Sequence, residues 1–159
     1  FPKDLGDAMA GRVRFLDESH SVIFTDKGIQ FFSTRVETSP ELVSQIPIEE
    51  NIRSITYAQD KVGIVTDNVE GGDPYKLRIY DREGSPVFEK TFNYQYTGFD
   101  IDGDLVLLYN DSSCKVYNMT GTEKYNGTFD FTVSKVSAGR FPGTLLVMGP
   151  QKMTEIKLQ

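Results

Sequence analysis

The sequence predicts an all-β, β-propeller-like fold of about four antiparallel blades, each of three to four strands. Three observations lead there. First, a segment repeats: Tyr80-Asp81-Arg82-Glu83-Gly84 returns as Tyr117-Asn118-Met119-Thr120-Gly121, 37 residues later, and "KTF" ending at Phe92 returns as "GTF" ending at Phe129 at the same spacing. Second, Val, Ile, Tyr, Phe and Thr gather in short runs, and Lys76, Leu77, Arg78 and Ile79 alternate as a half-buried strand does. Third, Asx and Gly residues punctuate those runs where turns are needed. Four-stranded units recurring about every 40 residues mark propeller blades, because one blade cannot bury both faces alone and stacking buries them.

The repeats run over about 11–48, 52–92, 96–129 and 132–158 within a single domain, 1–159. The first contains "IFTD" (23–26) and a hairpin turn in "LDESHSV" that carries the only histidine, His20. Its "SPELVSQIP" (39–47) allows one short helical turn after Pro40, stopped by Pro47. The second contains "IVTD" (64–67), which echoes the first, and an insertion, "VEGGDPY", whose glycines and proline mark a loop. The third holds "LVLLY" and "CKVYN", with Cys114 as a small residue packed in a strand. The fourth lacks an outer strand. "FPKDLGDAMA" could supply one, although Pro2 and Gly6 suit a strand poorly. A closed small propeller, an open piece of a larger one and two chains completing a ring all remain. The expectation is part of a larger or incompletely closed propeller, with self-association possible through open sheet edges. The start at Phe1 rather than Met fits a processed fragment.

Composition narrows the function. The formal charge of -6 and pI of about 4.8 argue against a nucleic-acid partner, which needs a basic stripe, and against adsorption to an anionic membrane. No apolar run approaches the ~20 residues of a membrane span.

"FDIDGDLVLLYND" (99–111) offers Asp100, Asp102 and Asp104 in the opening rhythm of an EF-hand. Counted from Asp100, however, the sixth position is Leu105 and the twelfth Asp111, where that loop needs Gly and Glu. Asp-Gly between apolar runs reads instead as a hairpin with Asp102 and Gly103 at its tip and Ile101 and Leu105 on neighbouring strands. No metal ligands, cofactor residues or catalytic residues are assigned. The sequons at Asn110, Asn118 and Asn126 read as turn composition. Asp26, Asp67 and Asp111 are the candidates for a carboxylate pair in glycoside hydrolysis, but their repetition at blade turns suits backbone capping better.

The stretch from "YKLRIYDREG" through "FDIDGDLVLLYND" to "FTVSKV" (75–136) resembles the C-terminal half of an uncharacterised family of Gram-positive bacteria, a domain of unknown function with a propeller-like region. The similarity covers roughly residues 11 to 158. It implies an extracytoplasmic, cell-surface setting, tethered by a membrane helix that this chain does not contain. It implies no catalytic residues. The reading is a non-enzymatic binding or scaffold module presenting propeller loops to a protein or glycan. The alternative is an enzyme acting on cell-surface polysaccharide with paired carboxylates. Gly71, Gly72, Asp73 and Tyr75 form the candidate binding loop, and Tyr94 and Tyr96 the candidate surface aromatics.

Overall fold

The computed structural model describes residues 10–25, 27–33, 41–58 and 60–158, with side chains from Val13 onward. The chain divides into two compact units, Phe1–Thr91 and Phe92–Gln159. Every regular element among the described residues is a strand, and none is a helix that could cross a membrane.

In the first unit one sheet is a meander of β1 (Ala10–Phe15), β2 (His20–Thr25), β3 (Gly28–Ser33) and β4 (Glu41–Pro47). The next is the same meander of β5 (Ile52–Tyr57), β6 (Lys61–Asp67), β7 (Tyr75–Asp81) and β8 (Pro86–Phe92). Their facing sides make one core. Val22, Phe24, Ile29 and Phe31 from the first sheet meet Val62, Ile64 and Tyr80 from the second. Burial of these branched and aromatic side chains is what holds the two sheets face to face.

The second unit repeats the scheme with β9 (Gly98–Asp102), β10 (Leu105–Tyr109), β11 (Ser113–Asn118) and β12 (Glu123–Thr128). Its other sheet has three strands, β13 (Lys135–Ala138), β14 (Thr144–Met148) and β15 (Met153–Lys157). Leu105, Leu107, Cys114 and Val116 pack on Val136, Leu145 and Val147. Cys114 is fully buried in β11, and burial pushes its thiol up to about 12, so it is an inert packing residue.

The repeated pentapeptide has a physical cause. Asp81 Oδ1 accepts the backbone N–H groups of Glu83 and Ser85, both at 2.9 Å. Asn118 Oδ1 accepts those of Thr120 and Thr122 at 3.0 and 2.9 Å. In each turn the glycine N–H then donates to the Asx carbonyl at 3.1 Å. Gly84 and Gly121 close the turns with φ of 86° and 81°, a region that side chains disfavour. Asn118→Ala is expected to lower stability by about 1–2 kcal/mol, because two amides lose their acceptor. Asn118→Asp, the residue found at position 81, should be nearly neutral. Urea unfolding of the two variants checks this.

Three sequence expectations change. Glu41–Pro47 is an edge strand paired with β3, not a helical turn. As the outermost strand it tolerates Pro47 at its end, where no further ladder bond is needed. The Asp-Gly hairpin is shifted by one residue. Asp102 pairs with Leu105 and Ile101 with Val106, so Gly103 and Asp104 form the tip, with Gly103 at φ 62°. Asp102 stays in the ladder, where its carboxylate accepts the Ala138 N–H at 2.8 Å and links the two sheets of the second unit. Finally, Lys76 and Arg78 are not the solvent side of a half-buried strand. Lys76 is buried and Arg78 nearly so, on the same face as Tyr80.

Candidate functional site

The most distinctive polar site grows out of β7. Period two puts Lys76, Arg78 and Tyr80 on one face and the fully buried Leu77 and Ile79 on the other. Tyr80 joins the core of the first unit, and beyond it Arg78 and Lys76 continue the face into an open cleft of about 540 Å³. The walls are Glu49 and Glu50, from the link between β4 and β5, and Val69 and Glu70, from the loop between β6 and β7.

The charges interlock. The Arg78 guanidinium donates to Glu50, and its Nε lies 3.3 Å from Glu89 Oε1, close enough for an ion pair but without hydrogen-bond alignment. The Lys76 ammonium lies 3.1 Å from Glu70 Oε1 and 3.4 Å from Glu89 Oε1. The hydrogen bond to Glu70 raises the Lys76 pKa against the effect of burial. Burial pushes the Glu50 carboxyl up, but backbone N–H bonds and the charges of Arg78 and Lys76 outweigh it and hold the pKa below the usual value.

The candidate binding loop continues from Val69 and Glu70 on this wall. Asn68, which the sequence reading passed over, braces it. Its Nδ2 donates to the carbonyls of Gly71 and Asp73 at 3.1 and 2.8 Å, and its backbone N–H to that of Pro74 at 2.9 Å. Gly71 and Gly72 are exposed and adopt φ of 88° and 81°. Asp73 Oδ2 accepts the Thr91 hydroxyl at 3.1 Å, and the Arg53 guanidinium lies 6.0 Å from the Tyr75 ring centre. An Asn three residues before a Gly-Gly pair was the available signal, since Asn side chains satisfy turn backbone.

Tyr94 and Tyr96 are half-buried. The Tyr94 hydroxyl is 2.7 Å from the hydroxyl of buried Ser113, and burial pushes its pKa up. Tyr96 sits between Phe92 and Phe99, with ring centres 6.1 and 6.4 Å away.

Two of the other candidates, Asp67 and Asn110, have structural roles. Asp67 Oδ1 is 2.6 Å from Arg53 Nε, and that bond, with help from Asn51, lowers its pKa. Asn110 Oδ1 accepts the N–H groups of Ser112 and Ser113, as a turn residue does, and exposed Asp111 offers its carbonyl to Val133. Asp26 lies outside the described residues. Among the described residues no three His, Cys, Asp or Glu side chains converge to hold a metal, and Asp100 accepts the Ile101 N–H.

Ser19, His20 and Asp17 also meet, at the turn entering β2. Ser19 Oγ and Asp17 Oδ1 both contact His20 Nδ1, at 3.0 and 2.9 Å. A catalytic triad needs serine and carboxylate on opposite ring nitrogens, so this is a turn cap. Arg82 adds a bond to Asp17 Oδ2 at 2.9 Å, tying the two sheets of the first unit together. Burial alone would raise the Asp17 pKa, but the bonds from His20 and Ser19 hold it well below the carboxylate range. Folded-state pKa values depressed at Asp17 and Glu50 add stability above about pH 4 that is lost as pH falls through the folded values. The thermal midpoint should therefore drop on acidification below that point, and Asp17→Asn should flatten the drop. Calorimetry between pH 2 and pH 7 measures both.

A family model described as a family of unknown function (DUF5711) matches residues 2–158. The chain belongs to the DUF5711 family. No curated protein matches it. Among solved structures this DUF5711 chain is similar to Hsv2 of Kluyvelomyces marxianus, with a TM-score of 0.59 and 13% identity over 98% of this chain and 50% of that one. It is also similar to BBS1N, solved in complex with ARL6DN, with a TM-score of 0.52 and 12% identity over 95% and 52%. A computationally designed protein, Ika4, aligns over 100% of both chains with a TM-score of 0.56 and 10% identity. The DUF5711 chain thus spans about half the length of the Hsv2 and BBS1N chains. At these identities the likeness shows the fold, which is propeller-like as the repeats predict.

Proposed function

We propose that this DUF5711 chain is a non-enzymatic binding module that presents the 68–74 loop and the adjoining charged cleft to a protein partner. The observation that carries the reading is the cleft itself. Its lysine and arginine and the Glu50, Glu70 and Glu89 carboxylates are engaged with one another, and the rim is a loop braced by Asn68. Such a site offers fixed charge and shape, and its lysine is held as an ammonium by Glu70 rather than freed as a nucleophile. A propeller-like scaffold holding loops rigidly suits this use. The similar BBS1N was solved in complex with a protein, ARL6DN, which fits the same mode. In keeping with the family resemblance, the module works outside the cytoplasm, tethered through a membrane segment that is not part of this chain. Self-association through the edge strands is a further way in which it assembles.

The test is affinity capture from cells expressing the tagged protein, with cross-linking, comparing the native loop with residues 69–73 replaced by Gly and Ser. A partner captured by the native chain and lost on loop replacement supports the reading. Equal capture by both chains overturns it. Release of reducing ends from cell-surface polysaccharide would favour an enzyme instead. Protease shaving of intact cells tests the location.

A further inference from the structure

We infer that the cleft receives a lysine- or arginine-bearing segment of the partner protein, an assignment that rests on the binding-module reading. Four carboxylates, Glu49, Glu50, Glu70 and Glu89, gather around two cations, Lys76 and Arg78. Each cation already touches two carboxylates, and the Lys76 side chain is only 10% exposed. An incoming anion would have to pull a carboxylate off a buried cation while adding negative charge to a cleft that already has an excess of it. An incoming cation meets the opposite situation. Glu49 is exposed and has no ion-pair partner among the described residues. Glu70, on the wall of the cleft, is 72% exposed, so its outer side faces the entering group, and Glu89 adds its charge behind Lys76 and Arg78.

The remaining wall suits the same guest. Val69 is 75% exposed beside Glu70, an apolar contact for the methylene stem of a lysine or arginine whose charged head reaches the carboxylates. The bonds from Asn68 hold Val69 and Glu70 in place before the guest arrives, which removes part of the ordering cost of binding. A volume of about 540 Å³ admits a short extended stretch of chain rather than a lone ion. The formal charge of -6 draws a basic segment in from a distance and repels an acidic one.

The test is an NMR titration of the isotope-labelled full chain with tetra-arginine peptide, and separately with inorganic phosphate. Arginine peptide should move the amides of Glu49, Val69 and Glu70, and raising NaCl from low to physiological strength should weaken binding several-fold. The E49Q/E70Q double variant changes two exposed side chains, and circular dichroism confirms its fold. It should bind about tenfold more weakly. Shifts at these amides with phosphate but not with arginine peptide would overturn the assignment, as would unchanged affinity in E49Q/E70Q. If affinity capture still yields a loop-dependent partner after such a result, only the ligand chemistry fails. If capture is loop-independent, the binding-module reading fails with it.

Discussion

Phe31→Ala is expected to lower the unfolding free energy by about 3–5 kcal/mol, the range for emptying a large aromatic site in a packed core. Phe31 is fully buried at the centre of the first unit, on the face of β3 that meets the next sheet. Its ring centre lies 6.1 Å from that of Tyr80, the residue that opens the repeated turn motif. The turn itself closes over it: a Cβ built on Gly84 would come within 2.7 Å of the Phe31 ring. Removing the ring therefore empties the space between two sheets and takes away the floor of the turn that Asp81 caps. Phe31→Leu keeps most of the volume and should cost clearly less. Denaturant titration gives both numbers. A loss below about 1 kcal/mol for Phe31→Ala would mean that the two sheets are not held together by this core.

The second large effect is expected at Arg78. Arg78→Met removes the guanidinium but leaves the Glu50 carboxylate, whose side chain is 15% exposed, without its main partner. An uncompensated charge at this depth costs on the order of 3 kcal/mol, because water can no longer solvate it fully. Lys76 and the backbone amides that hold Glu50 soften that cost. Arg78→Met with Glu50→Leu should recover most of the loss, since an apolar pair of similar volume needs no desolvated charge. The double-mutant cycle is the measurement, and strict additivity of the two single changes would exclude a coupled pair.

Phe31 lies in the first repeat and Arg78 in the second, whose closing turn was the easiest feature to read in the sequence. The 37-residue spacing was legible because a turn capped by one carboxyl or amide oxygen tolerates little variation: Asp81 and Asn118 do the same work with the same atoms. The edge strand Glu41–Pro47 was less legible. Its exposed Leu42 and Val43 and its bulge opposite Phe31 and Phe32 blur the two-residue alternation, and only pairing with β3 fixes it as a strand. The hairpin tip slipped by one because Asp102-Gly103 and Gly103-Asp104 are both reasonable turn pairs. The bond from Ala138, 36 residues away, favours the register with Asp102 in the ladder.

The candidate site divides in the same manner. The Gly71-Gly72 loop announced itself through residues that demand particular backbone angles. Its brace by Asn68 and the burial of Lys76 and Arg78 did not, because they depend on what lies across from each strand. By itself, the sequence determined that this protein is built from repeated antiparallel strands joined by Asx and glycine turns, since alternation and turn chemistry are local properties of the chain. Only the tertiary structure decided that the polar side of β7 is the floor of an ion-pair cleft rather than a fully solvated face. That cleft exists because Glu50, Glu70 and Glu89 arrive from three separate segments, and the attraction between charges depends on their distance in space, not on their separation along the chain.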